Sequence, residues 1–514
     1  MIAELSYLFR HAILRDAAYQ LQLPSDRSLL HALAFAAIED AAGGRPQGAA
    51  PLDATEPASF QAHFTDPFAE ELAEHARLAG GASSTNGDAM SAAWKLYLRR
   101  AAELSERSFH HGAAERLWRQ HASAVEGVEK GESLRMAANA AHQAGRTLVA
   151  ERLLDEVLSL HRGCRRRRLE GMALGSLAGV YQQSGRVELA ERTYLEALEV
   201  HREGDDRRME GLNLGNLAGV YQSTGRIDLA QRSYTEALAI HRETGNRRQE
   251  GVTLGNLGIL SQITGRAELA ERGLTEALAI VREVGDRRVE GIQLGDLGIV
   301  YQVTGRMELA RSSHSSALTI HREVGNRRYE GIALGNVATV DQLAGRIEQA
   351  EQGYAQALAI HREVGNRTSE GVTLGNLADV FHESGRIDLA ERSYAEALAI
   401  HREVGNRRAE GVLLGNRAGM YQTTGRMELA EKSFAEALAI HHALGNRRFE
   451  GVHLCGYALL LLARDGEGAG RETWRQGASV LRALGDTGTL QFVMASMAEA
   501  CSRAGIPSFA TDPV

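Results

Sequence analysis

Proline is missing from the greater part of this chain. The seven in its 514 residues are Pro24, Pro46, Pro51, Pro57, Pro67, Pro507 and Pro513, so 68–506 contain none. Such a stretch is neither collagen-like nor a disordered Pro/Gly tract. With 55 glycines in the chain, it predicts a run of helices that glycine alone ends. Cysteine is sparse as well: Cys164, Cys455 and Cys501 are far apart and odd in number. That excludes a CxxC pair and a disulfide framework, and suits a reducing compartment. Aromatics reach only 5%. The longest strongly apolar run, YALLLLA at 457–463, is far short of a membrane span. Glu4, Arg10 and Arg15 stand where a signal peptide needs its apolar core. No excess of positive charge exists either, since 58 Lys+Arg face 66 Asp+Glu for a net −8. That balance gives no bulk attraction to nucleic acid or anionic lipid. These absences predict a soluble, cytoplasmic chain without nucleic-acid or membrane partners.

What is present is a repeat. GLNLGNLAGVYQSTGRIDLAQRSYTEALAIHRETGNRRQE occupies 211–250, and its relatives begin at Gly171, Gly251, Gly291, Gly331, Gly371 and Gly411. A Gly-Arg pair recurs in phase from 145–146 to 425–426, every forty residues. Units 131–170 and 451–490 keep the register, the latter with Trp474 in the aromatic column and Gly485-Asp486 in the linker. Nine units therefore fill 131–490, followed by a C-terminal capping helix at 491–505 and a disordered tail at 506–514. Within 251–265, Val252, Leu254, Gly255, Leu257, Gly258 and Leu260 form one helical face that stops at Gly265. A second helix from near Glu268 carries Leu269, Ala270, Leu274, Ala277, Leu278 and Ile280, and closes at Gly285-Asp286. The alanine columns let the two helices approach closely. One such hairpin cannot bury its faces alone, so the units stack into an all-α solenoid.

Leu217-Ala218, Tyr221, Ala230, Tyr234 and Ala237 fall at the spacing of the tetratricopeptide repeat. The forty-residue length and the G-N/D-R-R-x-E-G…L-G-N run resemble the long repeats of the spindle-orientation protein Pins/LGN and those of bacterial signalling proteins. The family's usual proline after the second helix is absent here, replaced by a longer helix end and the GNRR loop. The resemblance covers 131–505. It implies a right-handed α-solenoid of stacked helix hairpins that binds a protein or peptide along a concave groove lined by the first helices. Glycine stands where some relatives carry lysines that clamp a chaperone's terminal carboxylate, so that ligand is not implied.

The head of the chain differs. Residues 1–40 read as a helical adaptor segment broken near Pro24-Ser25, 41–67 as a flexible linker, and 68–130 as helical. The last pair of helices, with Gly112, Ala114 and Trp118, reads as a degenerate first repeat. FRHAILRDAAY…LPSDRSLLH, followed by ELAEHARLAG, resembles the tail that joins the nucleotide-binding core of STAND/AAA-type signalling ATPases to a repeat array. No GxxxxGK[ST] loop occurs. That resemblance implies an ATPase partner domain on another chain or a core that has been lost, and a regulatory arm as the alternative function.

Three columns bear on chemistry. Histidine recurs at 161, 201, 241, 321, 361, 401 and 441, interrupted by Val281. Equivalent residues of stacked helices stand at least about 8–10 Å apart, whereas ligands sit about 2 Å from a shared zinc ion. The column predicts solvated or inter-helix histidines near helix ends and no metal. Arginines such as Arg242, Arg282 and the loop pair Arg247-Arg248 are interleaved with Glu243 and Glu250, a salt-bridged loop face.

The third column is polar and mostly amide. Asn216, Asn256, Asp296, Asn336, Asn376 and Asn416 each follow a glycine, and six residues on stand Gln222, Gln262, Gln302, Gln342, His382 and Gln422. Glycine leaves room for a partner backbone, and amides both donate and accept. These twelve residues are the candidate peptide-binding groove; bonding only to the neighbouring repeat is the competing reading. Asp341 and Arg417 break apolar columns. A lone buried charge costs several kcal/mol, which predicts local opening at 331–345 and 411–425. No nucleophile elbow, HExxH or phosphate loop occurs, so the chain reads as a non-catalytic scaffold without cofactors.

Overall fold

The structure, a computed structural model, describes residues 22–48, 50–54, 60–80, 87–484 and 487–509. Most of the segment resembling an ATPase tail, and Gly485-Asp486 of the last linker, lie outside the described residues. Among those described, 23 α-helices and one short 3-10 turn at Asp66–Phe68 account for the regular structure, without a strand. They group into two compact units, Met1–Ile240 and His241–Val514. Each is a stack of helix hairpins, and the fold is an all-α solenoid.

In the His241–Val514 unit the repeat is set by two kinds of turn. Helices Arg287–Val303 and Met307–Glu323 each hold 17 residues, and two three-residue turns complete the forty. The first turn closes on Gly305 at φ 75°. Its N–H donates to the Gln302 carbonyl at 3.1 Å and that of Arg306 to Tyr301 at 2.8 Å, the left-handed stop that glycine adopts without strain. The second turn adds a cap to its glycine. Asp286 accepts from the Val289 N–H at 3.0 Å and Asn406 from Ala409 at 3.1 Å, satisfying donors that a helix start leaves open. First helices therefore begin just after this cap. Arg247 and Arg248, read as loop residues, occupy the first turn of Arg247–Ile263.

Small residues set the distance between helices. Ala310, Ala317, Ala350, Ala357, Ala390 and Ala397 are buried. The glycines heading the repeats at 291, 331, 371 and 411 face the histidine thirty residues on. A Cβ on Gly331 would lie 2.7 Å from the His361 ring, and one on Gly291 would lie 2.6 Å from His321. The histidine column is thus packed between the two helices of a hairpin rather than solvated, with His361 only 1% exposed. Burial pushes His321 and His361 down to about 4. Where the column reads Val281, the valine packs against Gly251 instead.

The expected opening at Asp341 has lost its cause. Asp341 is buried, but Arg311 Nε lies 3.0 Å and Arg346 Nη2 2.7 Å from its Oδ1. One unit earlier the same place holds Glu271, Tyr301 and Arg306; the arginine stacks on the tyrosine ring at 4.6 Å and pairs with the glutamate at 2.7 Å. Arginine for glutamate at 311 and aspartate for tyrosine at 341 move the carboxylate to the middle of the tie, between two arginines, and Arg327–Leu343 is an unbroken helix. Arg417 is not alone either. Its Nη2 reaches Ser433 Oγ at 3.4 Å and its guanidinium lies 5.7 Å from the Tyr421 ring centre, within the continuous helix Arg407–Thr423.

In the Met1–Ile240 unit the same hairpins run from Gly127. Ahead of them, buried Trp118 on His111–Ala124 donates to Glu106 at 3.0 Å. Within 41–67, expected as a flexible linker, Asp66 accepts from Arg100 at 2.7 Å and the Gln61 carbonyl from the same guanidinium at 2.9 Å. Within 506–514, expected as a disordered tail, Phe509 is buried with Trp474, Met497 and Cys501.

Candidate functional site

The twelve candidate residues lie on the first helices: Asn216 and Gln222 in the first unit, the other ten in the second. In each repeat the asparagine position shares a helix face with residues four before and three and seven after it. For Asp296 these are Ile292, Ile299 and Val303. Asn216 is exposed and the remaining candidates half-buried.

Five of the twelve are already engaged. Gln222 accepts from Tyr234 at 3.2 Å and Gln342 from Tyr354 at 3.1 Å, both hydroxyls of the same hairpin. Gln342 also donates to Glu383 at 2.8 Å, His382 meets Thr423 Oγ1 at 2.8 Å, and Asn416 donates to Asp379 at 3.3 Å. Asn376 is within bonding reach of the Tyr354 hydroxyl as well. Gln222 is thus tied within its own hairpin, Gln342 both within it and to the next repeat, and His382, Asn416 and Asn376 to a neighbouring repeat. The side chains of Asn216, Asn256, Gln262, Asp296, Gln302, Asn336 and Gln422 make no hydrogen bond or ion pair among the described residues.

The reading of the glycines needs correction. The space beside Gly255, Gly375 and Gly415 is filled by the next repeat: a Cβ there would lie 2.3 Å from Gln293, 2.4 Å from Leu413 and 2.0 Å from His453. These glycines admit a neighbouring side chain, not a partner's backbone. Gly215, Gly295 and Gly335 have nothing within 4 Å and remain open.

Two carboxyl groups on this face are perturbed. Burial pushes Asp296 up to about 7 and Asp379 up to about 6, the latter opposed by hydrogen bonds from Tyr394 and Asn416. Apolar residues that the repeat pattern did not single out flank the amides. Ile263 is 54%, Ile299 39%, Val303 64% and Leu343 58% exposed. For Ile263, Val303 and Leu343 the signal was their departure from the Gln183, Ser223, Glu383 and Thr423 of other units at the same position.

The arginine columns are taken up by carboxylates. Glu290 accepts from Arg282 at 2.8 Å and Arg287 at 2.6 Å, and Arg287 continues to Glu323 at 2.5 Å. Burial alone would raise the Glu290 carboxyl, but the two guanidinium bonds outweigh it and hold it below its ordinary value. Glu330 and Glu370 repeat the clamp. Among the described residues no group of three or more His, Cys, Asp or Glu is placed to hold a metal ion, and no helix is long and apolar enough to cross a membrane.

The tetratricopeptide repeat family model matches 169–243, 208–283, 288–352 and 329–403. No curated protein matches the chain. Among solved structures, a Rap protein complexed with competence and sporulation factor is 13% identical, with 74% of this chain and 99% of that one covered, at a TM-score of 0.51. BtubC from P. vanneervenii is 23% identical over 43% of this chain and 92% of its own, at 0.37. A Signal Transduction ATPase with Numerous Domains from Pyrococcus horikoshii, which carries a tetratricopeptide repeat sensor, is 17% identical; 67% of this chain and 55% of that one are covered, at 0.44. At these identities the Rap likeness, above one half in TM-score, speaks to fold alone. Together with the forty-residue hairpins, the family match makes 169–283 and 288–403 tetratricopeptide repeats.

Proposed function

We propose that the chain is a non-catalytic scaffold whose first-helix face holds a peptide or protein segment. The observation that carries this is the set of polar side chains left without partners at repeat spacing. In the second unit Asn256, Gln262, Asp296, Gln302, Asn336 and Gln422 present free donors and acceptors beside the exposed Ile263, Val303 and Leu343. Amides that donate and accept suit a main chain, and apolar neighbours supply the burial that makes such contacts hold. Replacing Asn256, Asn336 and Asn376 together by Ala is expected to weaken capture of the cellular partner at least about tenfold at unchanged helicity. Crosslinking pull-down from the native cell, with circular dichroism alongside, reads both; undiminished capture counts against the groove.

A second reading makes the array the regulatory arm of a STAND/AAA-type ATPase. It draws on helix Pro24–Ala41, where Leu29 is 61% and Leu33 58% exposed on one face, a surface suited to a further domain. A phosphate-loop ATPase encoded upstream of Met1 supports it. An unrelated gene there removes it.

A further inference from the structure

Resting on the groove reading, we infer that the segment held by the second unit is amphipathic and basic, presenting a lysine or arginine side chain to Asp296 and apolar side chains to Ile263, Val303 and Leu343. Five of the six residues in this column are asparagine. Asp296 is also withdrawn from water without a partner, whereas the fully buried carboxylates of this unit are matched. Asp341 has Arg311 and Arg346, Asp286 has Arg248, and Glu290, Glu330, Glu370 and Glu410 each have two arginines. Even Asp379 takes the Tyr394 hydroxyl and the Asn416 amide.

An unpaired carboxylate withdrawn from water is costly, and asparagine would avoid that cost. Aspartate gains its advantage when a bound cation completes the pair. Burial already pushes this carboxyl up to about 7, and an arriving ammonium or guanidinium would hold it ionised. The way in is open, since nothing lies within 4 Å of a Cβ at Gly295 or Gly335.

The surrounding charge agrees. The positions equivalent to 292, 296, 299 and 303 in the units from 251 to 423 carry no Lys or Arg, whereas Asp379 and Glu383 add negative charge to this face. The apolar stripe is local too: the position of Ile263, Val303 and Leu343 becomes Glu383 and Thr423 further on, and Gln183 and Ser223 in the first unit. Asp296 therefore sits beside the middle of a short apolar patch with polar surroundings, the arrangement in which a desolvated charge pair selects its partner.

Panning a phage-displayed random peptide library on the full chain and on Asp296→Asn tests this. The variant places at 296 the amide that Asn256 and Asn336 already carry, so its fold is secure. The wild type is expected to enrich peptides with lysine or arginine among apolar residues. The leading synthetic peptide is expected to bind Asp296→Asn about tenfold more weakly, and its lysine-to-norleucine analogue to bind both proteins alike. Selected peptides without basic residues, or equal affinity for the two proteins, overturn the inference while leaving the groove in place. No capture at all, or capture unaffected by the triple asparagine replacement, overturns the groove reading itself.

Discussion

A methyl group added at Gly331 meets the His361 ring at 2.7 Å, whereas at Gly335, four residues along the same helix, it meets nothing within 4 Å. Gly331→Ala is therefore expected to lower stability by about 1–3 kcal/mol through overpacking. Gly335→Ala should be neutral or stabilising by up to about 1 kcal/mol, because alanine is the better helix former. Urea unfolding of the two variants separates them, and similar effects would contradict the packing described. The contrast also shows what was legible in the sequence. Both glycine columns stand out at forty-residue spacing, but spacing does not reveal which side chain fills the space beside each. The histidine facing Gly331 lies thirty residues away, and the residue filling Gly375, Leu413, belongs to the following repeat. The sequence accordingly left the histidines either solvated or between helices, of which the second holds, and read the filled glycines as open.

Within single hairpins, the first helices start earlier than read, capped by asparagine or aspartate accepting from an N–H three residues on, but the stops were legible because their chemistry is local: glycine in a left-handed turn. The side-chain ties between successive hairpins were not, since they join positions thirty or more residues apart. Arg311 and Asp341 are the sharpest case; each breaks its column, and neither explains itself alone. Arg311→Glu is expected to destabilise by about 1–3 kcal/mol, since it sets a second carboxylate against buried Asp341 and leaves Arg346 as the remaining cation. Adding Asp341→Tyr restores the Glu–Tyr–Arg set of the preceding tie and should recover most of the loss. A double-mutant cycle by thermal unfolding measures the coupling; simple additivity would mean the two residues are independent. The candidate groove was half legible in the same sense. The amide ladder follows from periodicity, whereas the hydroxyl partners of Gln222 and Gln342 lie on the second helix, where the ladder gives no hint of them.

Summed over the chain, the buried histidines give an acid lability. Burial lowers His121, His314, His321 and His361 to about 4 and His453 to about 3. Unfolded histidine titrates near 6.5, so below that pH the unfolded chain gains protons that the folded chain refuses. Stability is full above about 6.5 and falls as pH drops toward 4, by roughly 3 kcal/mol for each shift of that size once complete. Glu106 and Asp296, raised to about 7, and Asp379, raised to about 6, act in the opposite direction, but they are fewer. The Tm is expected to fall steadily between pH 7 and 5. His361→Val, which copies what the chain carries at Val281, should flatten that fall, and an unchanged pH profile would refute the assignment.

The tie between Arg311 and Asp341 has a consequence for how such a chain can change length. Most joints in the second unit are interchangeable: Glu351 meets Phe381 and Arg386, Glu391 meets Tyr421 and Arg426, and losing 371–410 in phase would bring Glu351 to the latter pair. Losing 331–370 would instead bring Arg311 to Phe381 and Arg386, two cations without the carboxylate between them. At this tie, in-phase loss of 371–410 leaves a matched joint, whereas 291–330 and 331–370 keep theirs only when they go together.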